Sequence, residues 1–160
     1  MVSVRQTTPG QALLSGFTLI EMLVVVSILA ILAGLALPSY AEFVRSQRVS
    51  TASFELFSTL VLARSEAVTR NTTVTVTPQS GTTDWGAGWR VLAGATTLRA
   101  QEALPNLAMT GPASVSYNGS GRLSAALAGG IQITAPGSSM AVRCITIDPS
   151  GRPVTKAASC

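Results

Sequence analysis

The chain has 160 residues, 47% of them hydrophobic and 11% charged, with a formal net charge of +4. That length suits one domain plus a membrane segment, and the charge density is far below that of a dedicated nucleic-acid-binding protein. There is no histidine, which removes the commonest general base, the usual metal ligand and the physiological pH switch, and Lys156 is the sole lysine, which excludes a phosphate loop of the G-x-x-x-x-G-K type.

Met1 to Ser15 is polar, carries one charge at Arg5, and leads into Gly16. An apolar run follows from Phe17 to Leu37, matching the roughly 20 residues needed to cross a bilayer. Glu21 interrupts it. A carboxylate there costs a few kcal/mol at the helix centre and less towards an end, so it calls for a partner. Ser39-Tyr40-Ala41 has the small-x-small pattern of a signal-peptide cleavage site. The apolar run, however, exceeds a normal h-region and contains an acid, and its n-region has only Arg5.

Helical character continues past Leu37, with Pro38 carried as a kink. Phe43, Phe54, Phe57, Val61 and Val68 fall at helical spacings, flanked by Leu60 and Ala67, and are expected to dock onto the domain as one stripe. Arg45, Arg48, Glu55, Glu66 and Arg70 lie away from it, and Arg64 sits at its edge. Glu66 and Arg70 have the favourable i, i+4 order. A helix from about Phe17 to Arg70 would be roughly 80 Å long, and Asn71 is a suitable terminator.

Strand signals take over after Asn71. Thr73 to Thr77 alternates with period two, and Pro78 to Trp85 reads as a loop. Trp89 to Leu92 and Thr96 to Arg99 are short strands. Val115 to Tyr117 precedes Asn118-Gly119, a strong turn signal. Ile131 to Thr134 alternates, Met140 to Ile147 is the clearest strand, and Pro153 to Thr155 returns as an edge strand after the Pro149-Ser150-Gly151 turn. The fold class is α+β, a long N-terminal helix packed on a C-terminal antiparallel β-sheet, with no internal repeat. Trp85 and Trp89 flank two glycines and read as core packing; a base-stacking platform would need more aromatics. Only Asp84, Glu102 and Asp148 are acidic beyond the helix, and they are scattered. No catalytic constellation, cofactor or metal site follows, since one carboxylate at Asp148 gives calcium weak affinity at best.

Gly16, then Phe17-Thr18-Leu19-Ile20-Glu21 and the long hydrophobic helix, resemble the class III signal of type IV pilins and type II secretion pseudopilins. The resemblance implies that a prepilin peptidase cuts between Gly16 and Phe17 and methylates the new amine. Glu21 then takes the family's position for the assembly glutamate. The physics agrees: the amine of Phe17 is a cation at the edge of the apolar zone, and an ion pair in low dielectric is strong when made and expensive when half made.

Beyond the helix, the chain resembles the GspH/FimT group. The matching segments are Leu62-Ala63-Arg64-Ser65-Glu66-Ala67, Gly88-Trp89, Asn118-Gly119-Ser120-Gly121-Arg122 and Gly151-Arg152-Pro153. The resemblance implies a structural subunit: a minor pilin at a pilus tip that primes assembly, or the corresponding secretion pseudopilin. It also implies a layout of leader (1–16), transmembrane helix half (17–37), amphipathic helix half (38–70) and periplasmic or extracellular β-rich domain (71–160). Its partners would be other pilins or pseudopilins, the prepilin peptidase and the inner membrane. In such an exported domain, Cys144 and Cys160 read as one disulfide. Some FimT-type members bind DNA through a Gly-Arg-x-Arg motif. Gly151 and Arg152 match it, but Val154 stands where its second arginine would be. Arg143, Arg152 and Lys156 are the candidate DNA contacts; a solvated basic rim is the plainer reading.

Overall fold

The computed structural model describes residues 17–127, 129–138 and 141–160. Gly16 and the expected leader lie outside them, as does Met140. The chain divides into two compact units, the first ending at Pro38 and the second running from Ser39 to Cys160.

The helix α1 spans Leu19–Arg70. At its start the Glu21 amide donates to Thr18 Oγ1 at 3.3 Å. Thr18 is therefore the N-cap, and Glu21 is the third helical residue of a Thr-x-x-Glu capping pattern, where an acid also complements the helix dipole. At the other end Asn71 takes φ +47°. The Thr72 amide donates to the Ala67 carbonyl and the Asn71 amide to that of Val68, both at 3.2 Å. This is the Schellman pattern, with asparagine supplying the left-handed residue.

The face of α1 that meets the β-strands is not the expected stripe. Val49, Ala52, Leu56, Leu60, Ala63 and Ala67 are buried, at spacings of three and four residues. Phe43, Phe54, Val61 and Val68 are exposed, Phe54 at 71%, and Phe57 is half-buried. The helix has two apolar faces, and the one rich in small residues goes inward. Alanines let a helix backbone approach a sheet closely, whereas a row of phenylalanines holds it away.

The expected antiparallel β-structure is present, and among the described residues its eight strands divide into two sheets. β1 (Val74–Pro78), β2 (Trp89–Ala93), β3 (Thr96–Gln101) and β5 (Val115–Tyr117) make the first, in the order β3-β2-β1-β5. β4 (Ala108–Thr110), β6 (Ile131–Thr134), β7 (Val142–Ile147) and β8 (Pro153–Lys156) make the second, in the order β4-β6-β7-β8. Pro78 ends β1 opposite Trp89, beyond the reach of β5, so its missing N–H costs the sheet little. Within the second unit one core joins α1 to both sheets: Leu56 and Leu60 from α1, Val74, Val76 and Val91 from the first sheet, and Met109, Ile131, Ile133 and Ile145 from the second. Trp85 and Trp89 are buried within it. Their indole N–H groups donate to the Pro112 carbonyl at 2.9 Å and to Thr59 Oγ1 at 3.2 Å, so neither polar handle is orphaned.

Candidate functional site

Three sets of residues bear on function, and each has a separate structural origin. The first is the apolar unit. From Phe17 to Leu37 all large apolar side chains are exposed; the least exposed, Val25, is 42% so. Ser27 Oγ donates to the Leu23 carbonyl at 2.7 Å, which hides its hydroxyl within the helix. Glu21 is the sole charge among the described residues of this unit. Of the two stretches Leu19–Leu35 and Ser39–Arg70 of α1, neither alone is long and apolar enough to cross a membrane. Leu19–Leu35 taken together with Ser39–Arg70 meets that test by length and composition.

The second set is the cystine. Cys144 on β7 is bonded to Cys160, sixteen residues on, with Cα atoms 5.1 Å apart. Space for it comes from Gly130: a Cβ there would lie 3.0 Å from both sulfurs and 2.7 Å from the Ile145 carbonyl oxygen. The Cys160 amide donates to Gln132 Oε1 at 3.3 Å. The chain end is thereby pinned to β6 as well as β7.

The third set is basic, and the register of β7 and β8 disperses the three expected cations. Lys156 stands opposite Cys144, so the two share a face of the sheet. Arg143 is the next residue along β7 and turns to the other face, with Ile145. Arg152 sits in the β7–β8 turn, while Lys156 lies four residues away, about 13 Å along a strand. Arg143, Arg152 and Lys156 form no common patch.

A different arginine, Arg122, stands beside Arg152. Asn118-Gly119-Ser120-Gly121-Arg122 and Asp148-Pro149-Ser150-Gly151-Arg152 fold as twin loops. The first amide of each donates to the arginine carbonyl, at 2.9 Å for Asn118 and 3.1 Å for Asp148. The glycine amide donates back to the first carbonyl at 2.8 Å in both. The first side chain then accepts the arginine amide through Oδ1, at 3.0 Å for Asn118 and 3.2 Å for Asp148, and also the serine hydroxyl. Gly121 and Gly151 take φ +74° and +84°, values that glycine adopts without strain. The turn signal at Asn118-Gly119 is thus shifted: Gly121 supplies the left-handed residue. Gly119 is needed because a Cβ would lie 2.6 Å from Asn71 Oδ1.

The twins are pressed together. A Cβ on Gly151 would overlap the Gly121 carbonyl oxygen. Arg64 of α1 clamps both loops, Nε donating to the Gly121 carbonyl at 2.9 Å and Nη2 to that of Ser150 at 3.2 Å. Arg122 and Arg152 are both exposed, and Arg152 Nε lies 3.8 Å from Asp148 Oδ2. Hydrogen bonds from the Ser150 hydroxyl first, then the Arg152 amide, hold the Asp148 carboxyl below its ordinary range. Burial pushes the Tyr117 phenol beside Gly151 up. The repeated pattern of Asn or Asp, any residue, Ser, Gly, Arg was the sequence signal for Arg122 as the companion of Arg152.

Arg64, the Asn118 loop and the Gly151-Arg152 turn are the segments that carried the likeness to the GspH/FimT group, and they meet at one place. The profile of Type II transport protein GspH matches residues 52–151. The chain belongs to the GspH family of type IV pilin-like proteins. The prokaryotic N-terminal methylation motif matches residues 15–37. Two crystal forms of the type IV minor pilin FimU of Pseudomonas aeruginosa share the fold. Their TM-scores are 0.57 and 0.60 at 23% and 22% identity, over 67% and 71% of this chain and 91% and 92% of FimU. No curated relative matches. In this GspH-family chain the long helix and antiparallel sheets are the pilin fold, and the family is one of structural subunits.

Proposed function

We propose that this chain is a minor pilin or pseudopilin, a non-enzymatic subunit of a type IV pilus or type II secretion filament, placed at the tip and priming assembly. The observation that carries the reading is the apolar unit: a helix whose large side chains all face outward, with one carboxylate in its first turn. Such a surface is stable only against lipid or other apolar helices. Before assembly it sits in the inner membrane, with the second unit on the periplasmic side. A prepilin peptidase separates Gly16 from Phe17, and in the filament Glu21 of one subunit meets the Phe17 amine of a neighbour. Glu21→Ala removes a charge from lipid, so the monomer stays in the membrane. The variant should be depleted from sheared filaments, because the neighbouring amine loses its partner. Undiminished recovery in the sheared fraction sinks the reading.

The twin loops favour a second role, contact with DNA. Arg122 and Arg152 leave neighbouring, clamped loops, whereas Arg143 faces α1 and Lys156 lies at the far end of β8. Two phosphate contacts give a logarithmic salt slope of about −2 on duplex DNA. Titration with short duplexes at low and moderate salt tests it. Arg122→Gln and Arg152→Gln should each lower affinity and flatten the slope, and Lys156→Gln should change little. Absence of binding at low salt removes this role.

A further inference from the structure

Arg143 is placed unlike a solvent-seeking cation. It lies on the β7 face that carries the buried Ile145 and is itself half-buried. Its guanidinium has no hydrogen bond or ion pair with any described residue. With Ser50, Ser53, Phe54, Phe57 and Thr155 it lines a groove of about 320 Å³ between α1 and the second sheet. A cation so placed has lost part of its hydration without gaining an anion. Beside it Phe54 stands 71% exposed, on a helix whose other face supplies the core. The apolar surface continues along α1: Val61 and Val68, 45% and 51% exposed, follow Phe54 at intervals of seven residues. A seven-residue period is the spacing at which one helix receives another.

We infer that this groove docks a helical segment of a second protein subunit, one that lays an apolar side chain against Phe54 and Phe57 and sets a carboxylate on Arg143. Carboxylate and guanidinium match in geometry as well as charge, through paired N–H···O bonds. A residue one helical turn from an apolar anchor reaches the cation while the anchor fills the groove. A nucleic acid or a lipid surface fits less well, since a single cation makes one phosphate contact and leaves the ring faces to apolar matter. That the second subunit is a filament neighbour rests on the function proposed above; the chemistry of the groove does not.

The test uses the full chain in its own cells, with p-benzoylphenylalanine in place of Phe54 as a photo-crosslinker. Irradiation should give a protein adduct whose cross-linked peptide holds Asp or Glu within one helical turn of an apolar residue. Arg143→Glu should lower the adduct yield about tenfold, the scale expected on reversing one half of a partly buried charge pair. Changing the identified acid to arginine should restore the yield in the Arg143→Glu chain, and that rescue also shows that the variant is folded. A lipid or nucleic-acid adduct, a peptide without a nearby acid, a yield indifferent to Arg143→Glu, or no adduct would each overturn the inference. Sheared filaments from the same cells separate the two claims. An acid-bearing adduct with the chain absent from filaments upholds the groove and removes the filament reading. A chain present in filaments without the adduct removes the groove alone.

Discussion

Replacing Gly151 by alanine tests the joint between the twin loops, and Gly81→Ala supplies its control. Both glycines have left-handed backbones, φ +84° at Gly151 and +71° at Gly81. Both substitutions therefore carry the same conformational penalty, about 1 kcal/mol. They differ in what the new methyl meets. At Gly81 nothing lies within 4 Å; at Gly151 it overlaps the Gly121 carbonyl oxygen and approaches the Tyr117 ring at 3.3 Å. A backbone carbonyl has no free rotamer to take, so the loops must part. That strains the two Arg64 bonds, at 2.9 and 3.2 Å, each worth about 1.5–3 kcal/mol as a hydrogen bond to a charged group. Gly151→Ala should then cost about 2.5–4 kcal/mol if one bond is lost and about 4–7 if both are, against about 1 for Gly81→Ala. Near-UV circular dichroism melts of the full chain in detergent should separate the two midpoints by on the order of 10 °C. If both variants melt within about 2 °C of one another, the clamp is not what holds the loops.

Leu56→Ala should cost about 2–5 kcal/mol as a core truncation, whereas Phe54→Ser should stay within about 0.5 kcal/mol, as for an exposed site; urea titrations of both variants decide which face of α1 is buried. Cys144→Ser with Cys160→Ser should lower stability by about 3 kcal/mol on the chain-entropy account of loop closure, and mass spectrometry of non-reduced, alkylated protein from its cells should find no thiol in the wild type. Asp148 has a depressed folded pKa, so its contribution is present above the unfolded carboxylate range and is lost as pH falls through the folded value. Asn118 makes the same loop bonds without a charge, so Asp148→Asn should keep the loop and abolish that loss, seen in melts taken from neutral pH to below about pH 4.

The strands and the helix end were readable because each rests on local chemistry. Alternation from Val74 to Val76 needs only period two, and Asn71 needs only its tolerance of positive φ. Three features were less legible for physical reasons. The large residues of α1 outshone the small ones, yet close packing selected Ala52, Ala63 and Ala67 for the core. β4 is three residues long, too short to show a period, although Met109 at its centre is fully buried. The cations near Cys144 looked clustered in sequence, but alternation on β7 sends Arg143 and Cys144 to opposite faces, a separation fixed by pairing with β6 and β8. The twin loops were legible in principle, since both copies of the pattern stand in the sequence. Their meeting through Gly121, Gly151 and Arg64 is a tertiary fact that spacing does not encode.

The account turns on the N-terminus, because an anchored filament subunit must begin where its apolar helix begins. Intact mass of the chain isolated from its cells measures this directly. The predicted mass is that of a chain starting at Phe17 and carrying one added methyl group, with Gly16→Val leaving the protein uncut in the inner membrane. A mature chain starting at Glu42 would contradict the account, since Phe17 and Glu21 would then have been discarded with a signal peptide.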